Sequence, residues 1–153
     1  MIKQLTNVVD LTRPYFKVYC DFHKRDVNQF IRIKDDFFKI CKCMIFYYDD
    51  EYVEKSELDF SISDFNLYVL IVSSNLFCDP NFDRKAFQIA VAKNIPILPI
   101  VIENGLEDEF SQRFGNIQYI NTCIDVLDPT VIPYIDKLRN YLSKTFSLSL
   151  EIN

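Results

Sequence analysis

Few side chains in this chain can do covalent or metal chemistry, and they are unevenly placed. The single histidine, His23, closes the string "CDFH", in which Cys20, Asp21 and Phe22 precede it. A thiol beside an imidazole is the smallest nucleophile and base pair, and it works only if the two side chains meet in space. The five cysteines (Cys20, Cys41, Cys43, Cys78 and Cys123) are odd in number and lie within or beside apolar runs, where a free cysteine packs as a small hydrophobe. The "CKC" at 41–43 has neither a second cysteine pair nor a histidine cluster to complete a zinc site, so no metal is expected and the thiols read as reduced. Only two glycines occur, Gly105 and Gly115. No Gly-rich loop follows a strand to cradle a phosphate, which removes the Rossmann and P-loop readings. What remains is a set of polar and aromatic residues at the ends of apolar runs: Asp21, Phe22 and His23 after the first, Tyr48 and Asp49 after the second, and Phe82, Arg84 and Lys85 beyond the third.

The elements that must position these residues alternate between strand-length apolar runs and segments of helical period, the pattern of a parallel sheet covered by helices. "YFKVYC" (15–20) reads as a first strand. "RDVNQFIRIKDDFFKI" has apolar residues near helical spacing and should pack on the sheet. "CMIFYY" (43–48) reads as a second strand, followed by an acidic loop, "DDEYVEKSELDFSISDF". "NLYVLIVSS" (66–74) is a continuous apolar run of the kind buried on both faces. "CDPN" supplies a turn, with Asn81 as helix N-cap and a helix to about Asn94. "IPILPIVI" is the next strand, and Pro96 and Pro99 favour a strand start and an edge or bulge. "NGLEDEFSQRF" reads as a turn and short helix, "NIQYIN" as a short fifth strand, and "DPTVIPYIDKLRNYLSKTF" as a terminal helix opened by Asp128 and Pro129. The expectation is α/β: five strands with helices on both faces, one domain over 1–153.

Composition narrows the function classes. Of 153 residues, 49% are hydrophobic and 25% charged, enough to build a core and too apolar for disorder. The formal net charge of -5 argues against nucleic acid as a partner, because phosphate contacts need clustered Lys and Arg. The longest apolar runs fall well short of the roughly 20 residues of a membrane span, and no apolar signal segment opens the chain. The reading is cytoplasmic, with no membrane partner.

Taken in order, several strings resemble a bacterial Toll/interleukin-1 receptor (TIR) domain. "CDFHKRD" is similar to the turn after that family's first strand, and "IFYYDDE" to its second strand entering the BB loop. "LYVLIVSSNLF" is similar to the third strand and its Ser/Thr-Asn exit. The most specific string is "AFQIAVAKNIPILPIVIENGLEDEFSQRFGNIQYIN". The resemblance covers about residues 15–146. It implies a flavodoxin-like TIR fold with a five-stranded parallel sheet, excisable from a longer multidomain protein. It also implies self-association up to filaments through the BB loop. Its implied activity, in immune signalling, is cleavage of NAD+ at the nicotinamide-ribose bond, with hydrolysis or cyclisation of the ADP-ribose; NAD+ is then substrate, and no cofactor is implied.

That chemistry asks for a carboxylate near the ribose, where departing nicotinamide leaves positive charge. In the family it is a Glu about four residues after an aromatic and about thirteen before a proline of the next strand. Counted back from Pro99, that position here is Ala86, with Phe82 as the aromatic. The carboxylate is missing. Gln88 carries no charge, and Asp83 lies roughly 60° round the helix. Three readings of Ala86 stay open: natural loss, an engineered Glu→Ala change, or an ordinary core alanine in the stripe Phe82, Ala86, Ile89, Ala90. On the first two, Ala86→Glu restores cleavage. The resemblance further implies a nucleotide site lined by Asp21, Phe22, His23, Tyr48, Asp49 and Phe82, with Lys55, Arg84 and Lys85 as cations for a pyrophosphate. The alternative function is a non-catalytic TIR domain that acts by self-association or by binding a nucleotide.

Overall fold

The computed structural model describes residues 2–8, 16–48, 65–79, 85–122 and 133–146. Six strands form one mixed sheet: β1 (Ile2–Thr6), β2 (Phe16–Asp21), β3 (Cys43–Tyr48), β4 (Leu67–Val72), β5 (Ile97–Val101) and β6 (Ile120–Asn121), in the order β1-β3-β2-β4-β5-β6. The five strands from β2 onward run parallel. Their order, renumbered from β2, is 2-1-3-4-5, so the architecture is broadly flavodoxin-like.

The sheet differs from the expected five parallel strands by β1, which pairs antiparallel with the outer edge of β3, Ile2 opposite Tyr48 and Thr6 opposite Met44. A short strand there covers an edge that would otherwise expose a row of unpaired backbone groups. Asn7 fastens its end: the side-chain amide donates to the carbonyls of Phe38 (3.1 Å) and Cys41 (3.0 Å), and Oδ1 accepts from Cys43 N–H (2.9 Å).

All six residues of β4 are buried, as a strand with helices on both faces requires. On one face lie α1 (Val27–Ile40) and the C-terminal helix α5 (Tyr134–Phe146). Phe30, Ile33, Phe37 and Ile40 of α1, and Tyr134, Leu138 and Leu142 of α5, recur at helical spacing and meet Val18, Cys20, Ile45, Val69 and Ile100. The opposite face carries α2 (Ser74–Cys78), α3 (Lys85–Ala92) and α4 (Glu107–Phe114). They pack on Tyr19, Tyr68, Leu70 and Val72 through Leu76, Ala86, Ile89, Ala90 and Phe110. Asn94 closes α3 in the left-handed region (φ 57°), and Ile95 N–H bonds back to Ala90 O, a helix ending that leaves few carbonyls unpaired.

Three local expectations change. The turn expected at "CDPN" is preceded by the helix α2, which Ser73 caps by accepting from Leu76 N–H. The C-terminal helix begins at Tyr134, directly after Pro133; the expected opening at Asp128 lies outside the described residues, as does Asn81. β5 is flanked by strands on both sides, yet Pro99 costs no ladder bond. Pro96 and Ile102 bond toward β4 and Val101 toward β6, so Pro99 faces the β6 side, where pairing begins only at Ile100. No helix among the described residues is long and apolar enough to cross a membrane.

Candidate functional site

In this strand order the chain leaves β2 toward β3 on one side and β4 toward β5 on the other. The carboxyl ends of β2 and β4 therefore flank the crevice in which open α/β sheets bind ligands. Asp21 is the last residue of β2 and half-buried. Because side chains alternate along a strand, Asp21 shares the α3 face with Tyr19. On that face Tyr68, fully buried, donates its hydroxyl to Asp21 Oδ2 at 2.6 Å and stacks on Tyr19 with ring centroids 6.0 Å apart. Burial, followed by the charge of Asp21, pushes the Tyr68 phenol well above its ordinary range. The phenol keeps its proton, and Asp21 remains the acceptor.

Around this pair the two strand exits are tied together by polar contacts. Asp26, 3% exposed, accepts from the Ser73 hydroxyl at 2.5 Å and from the Asn75 amide at 2.8 Å. His23 caps the 3-10 turn Lys24–Asp26: its Nδ1 accepts from Arg25 N–H at 3.1 Å. The ring proton therefore sits on Nε2, which lies 3.0 Å from Asp79 Oδ2. Glu103, just beyond β5, accepts from Ser74 N–H (3.2 Å) and the Ser74 hydroxyl (3.0 Å). Four carboxylates thus stand at or just beyond the carboxyl ends of three neighbouring strands, each held by its own hydroxyl, amide or imidazole donor. Such a surface accepts hydrogen bonds from ligand hydroxyls and tolerates a cationic group. Lys24 and Arg25, both exposed, are its nearest described cations along the chain.

Asp21 and His23 stand two residues apart at the exit of β2, Asp21 bonded to Tyr68 and His23 paired with Asp79. Phe22 does not join them: its ring stacks on Phe30 (4.4 Å) and meets Tyr47 (6.1 Å), against the core formed by α1. Tyr48 ends β3 opposite Ile2. Asp49, Phe82, Arg84 and Lys55 lie outside the described residues, as does the rest of the loop 49–64. Lys85 opens α3. Ala86 is 5% exposed and belongs to the core with Ile89, Ala90 and Tyr68, the arrangement of the core-alanine reading. A Cys20–His23 pair does not form: Cys20 is buried in the α1 face, burial raises its thiol well above the ordinary range, and His23 is engaged with Asp79. Cys41 and Cys43 are buried too, and the Cys41 contact followed by burial raises the Cys43 thiol. Among the described residues no three His, Cys, Asp or Glu side chains gather as for a metal ion.

Sequence reasoning passed over Asp26, Tyr68 and Asp79. The string "VSSN" at the exit of β4 was the available signal, since a run of short polar residues directly after a fully apolar strand needs partners. Asp26 stands where a helix N-cap is expected, although it makes no side-chain cap bond. Comparison with protein-family models, with curated proteins and with solved structures gives no match for this chain.

Proposed function

We propose that this chain is a TIR-like domain whose crevice between β2 and β4 binds NAD+ or a related nucleotide and, as the sequence stands, does not cleave it through α3. The supporting observation is that side chains after β2 bond to side chains after β4, His23 to Asp79 and Asp26 to Ser73 and Asn75, while Tyr68 of β4 holds Asp21 at the end of β2. Those contacts fall where the strand order reverses, the place at which this architecture receives nucleotides. The acceptors of the crevice suit the hydroxyl donors and the cationic ring of such a ligand, while its pyrophosphate needs cations, of which Lys24 and Arg25 are exposed nearby along the chain.

Cleavage of the nicotinamide-ribose bond requires negative charge against the ribose as it becomes cationic. Position 86, where the family resemblance places that group, holds a methyl side chain packed in the core. Uniform binding without preferential stabilisation of the transition state gives affinity and no turnover. The test is titration of the protein with NAD+ by calorimetry, with nicotinamide release followed in parallel. Binding with release at background is expected. Steady release by the unaltered chain would overturn the silent-site reading, and failure of NAD+ and ADP-ribose to bind would overturn the nucleotide reading itself.

A further inference from the structure

Cys41 and Cys43 form a second pair of reactive groups, one that the crevice does not use. They flank the exposed Lys42, and their thiols are hydrogen-bonded to each other in the core between α1, α5 and the sheet, 2% and 0% exposed. The backbone brings them together. Cys41, which closes α1, is extended (φ -151°, ψ 163°) and Cys43 is the first residue of β3, so both side chains point to the α1 face while Lys42 points away. Asn7 holds the backbone of both: its amide donates to Cys41 O, and its Oδ1 accepts from Cys43 N–H. The Thr6 hydroxyl donates to Cys43 O at 2.9 Å. The same two residues thus carry the thiols and anchor the end of β1. They lie where β2 and β3 begin, with Phe16 beside Cys43, at the opposite end of the sheet from the crevice.

We propose that Cys41 and Cys43 are a redox modification site: a low-molecular-weight disulfide converts them to an intrachain disulfide, and the bridge releases β1 from the edge of β3. Two residues of extended chain span roughly 6.6 Å between Cα atoms, close to the upper limit of about 6.8 Å for a disulfide. Closing the bridge therefore bends the chain at Lys42, which draws Cys41 O and Cys43 N–H out of line with Asn7. In the closed fold the thiols are shielded, and contact with Cys41 followed by burial holds the Cys43 thiol protonated. They react when the Asn7 bonds open and β1 lifts. One thiol then loses its proton to solvent, and its sulfur attacks a sulfur of R–S–S–R, forming a mixed disulfide and expelling R–S⁻. The second thiol, deprotonated in turn, displaces the other R–S⁻. The two leaving thiolates take up the two protons, so two protein thiols are oxidised and one small disulfide is reduced to two thiols.

Lys42 makes the test direct, because trypsin cuts after it and separates the two cysteines unless a disulfide joins them. The whole chain is incubated with oxidised glutathione, the remaining thiols are alkylated, and the digest is read by mass spectrometry before and after reduction. The peptides beginning at Ile40 and at Cys43 should be joined and should separate on reduction. Hydrogen exchange of the β1 amides should rise about tenfold or more in the bridged form. Asn7→Ala should bridge several-fold faster than the unaltered chain, with a melting curve to confirm that it folds; if it does not fold, the peptide map and exchange of the unaltered chain decide alone. Cys43→Ser should give no joined peptides and keep β1 exchange slow under the same treatment. Cys41 and Cys43 left free or singly modified in the folded chain, with joining only in urea, overturns the site. Bridging with unchanged β1 exchange overturns the release of β1, and an unchanged bridging rate in folded Asn7→Ala overturns the route through the Asn7 bonds.

Discussion

Replacing Asp26 by alanine should destabilise the domain more than any other single polar truncation at the crevice. Its carboxylate accepts one hydrogen bond from a fully buried hydroxyl, Ser73, and one from the half-buried amide of Asn75. Hydrogen bonds to a charged acceptor contribute about 1.5–3 kcal/mol each. The two do not add fully: they share one carboxylate, and the Asn75 amide can turn toward water. The expected loss is about 3 kcal/mol, which for a domain of this size lowers the melting temperature by about 6–12 °C. Asp26→Asn should cost less, because an asparagine oxygen still accepts from one donor while its amide can donate to the second lone pair of Ser73. The assay is urea denaturation of both variants, with unchanged slopes confirming that the midpoint reports stability, alongside thermal melts. A loss below about 1 kcal/mol for Asp26→Ala would refute the reasoning, since it would mean that these bonds contribute no more than a surface pair.

Three further outcomes are expected. Tyr134→Phe should raise stability by about 1 kcal/mol, because the buried Tyr134 hydroxyl has no hydrogen-bond partner among the described residues and removing it relieves a desolvated group; a loss in denaturant midpoint would contradict this. Asp36 titrates above its ordinary range because burial, only partly offset by Lys39 and Arg32, disfavours its charge; with the folded value raised, its stabilising contribution is full below 3.8 and is lost as pH rises through the folded value. Asp36→Asn should therefore be more stable than the parent at neutral pH, with melting curves that converge as pH falls below that value, and an advantage independent of pH would count against the assignment. Ala86→Glu should lose at least about 2 kcal/mol, since it places a carboxylate among Ile89, Ala90 and Tyr68; a variant as stable as the parent that releases nicotinamide would show that position 86 opens to the crevice.

Much of the architecture was legible because the elements that carry it are strongly patterned. β4 announces itself as six consecutive apolar residues, and α1 by Phe30, Ile33, Phe37 and Ile40 one turn apart. β1 was invisible for the opposite reason. In "IKQLT" nothing exceeds a weak alternation, and its pairing is decided by the open edge of β3 and by Asn7, both remote in sequence. Pro99 misled in a local way: a missing N–H suggests an edge strand, and β5 is an edge only over its first three residues, Ile97–Pro99, and only on its β6 side. At the crevice, Asp21 and His23 could be picked out because they follow a strand directly. Tyr68 could not, since within an apolar strand a tyrosine looks like packing until the neighbouring strand brings a carboxylate to its hydroxyl. Phe22 looked like part of the site by adjacency to Asp21, yet neighbours at a strand exit point to opposite faces.

The antiparallel course of β1 has a practical side for anyone attaching this domain to something else. Because Ile2 lies opposite Tyr48, sequence joined ahead of β1 emerges at the end of the sheet where β2 and β4 open. The close of α5 is at the far end, with Phe146 packed against Phe16 at 4.9 Å where β2 begins. A fluorescent protein, purification handle or surface tether fused at the front would crowd the exits of β2 and β4, whereas the same cargo behind the last helix would hang from the floor of the domain. The direction of one five-residue strand thus decides which end of the molecule can be handled without crowding those strand exits.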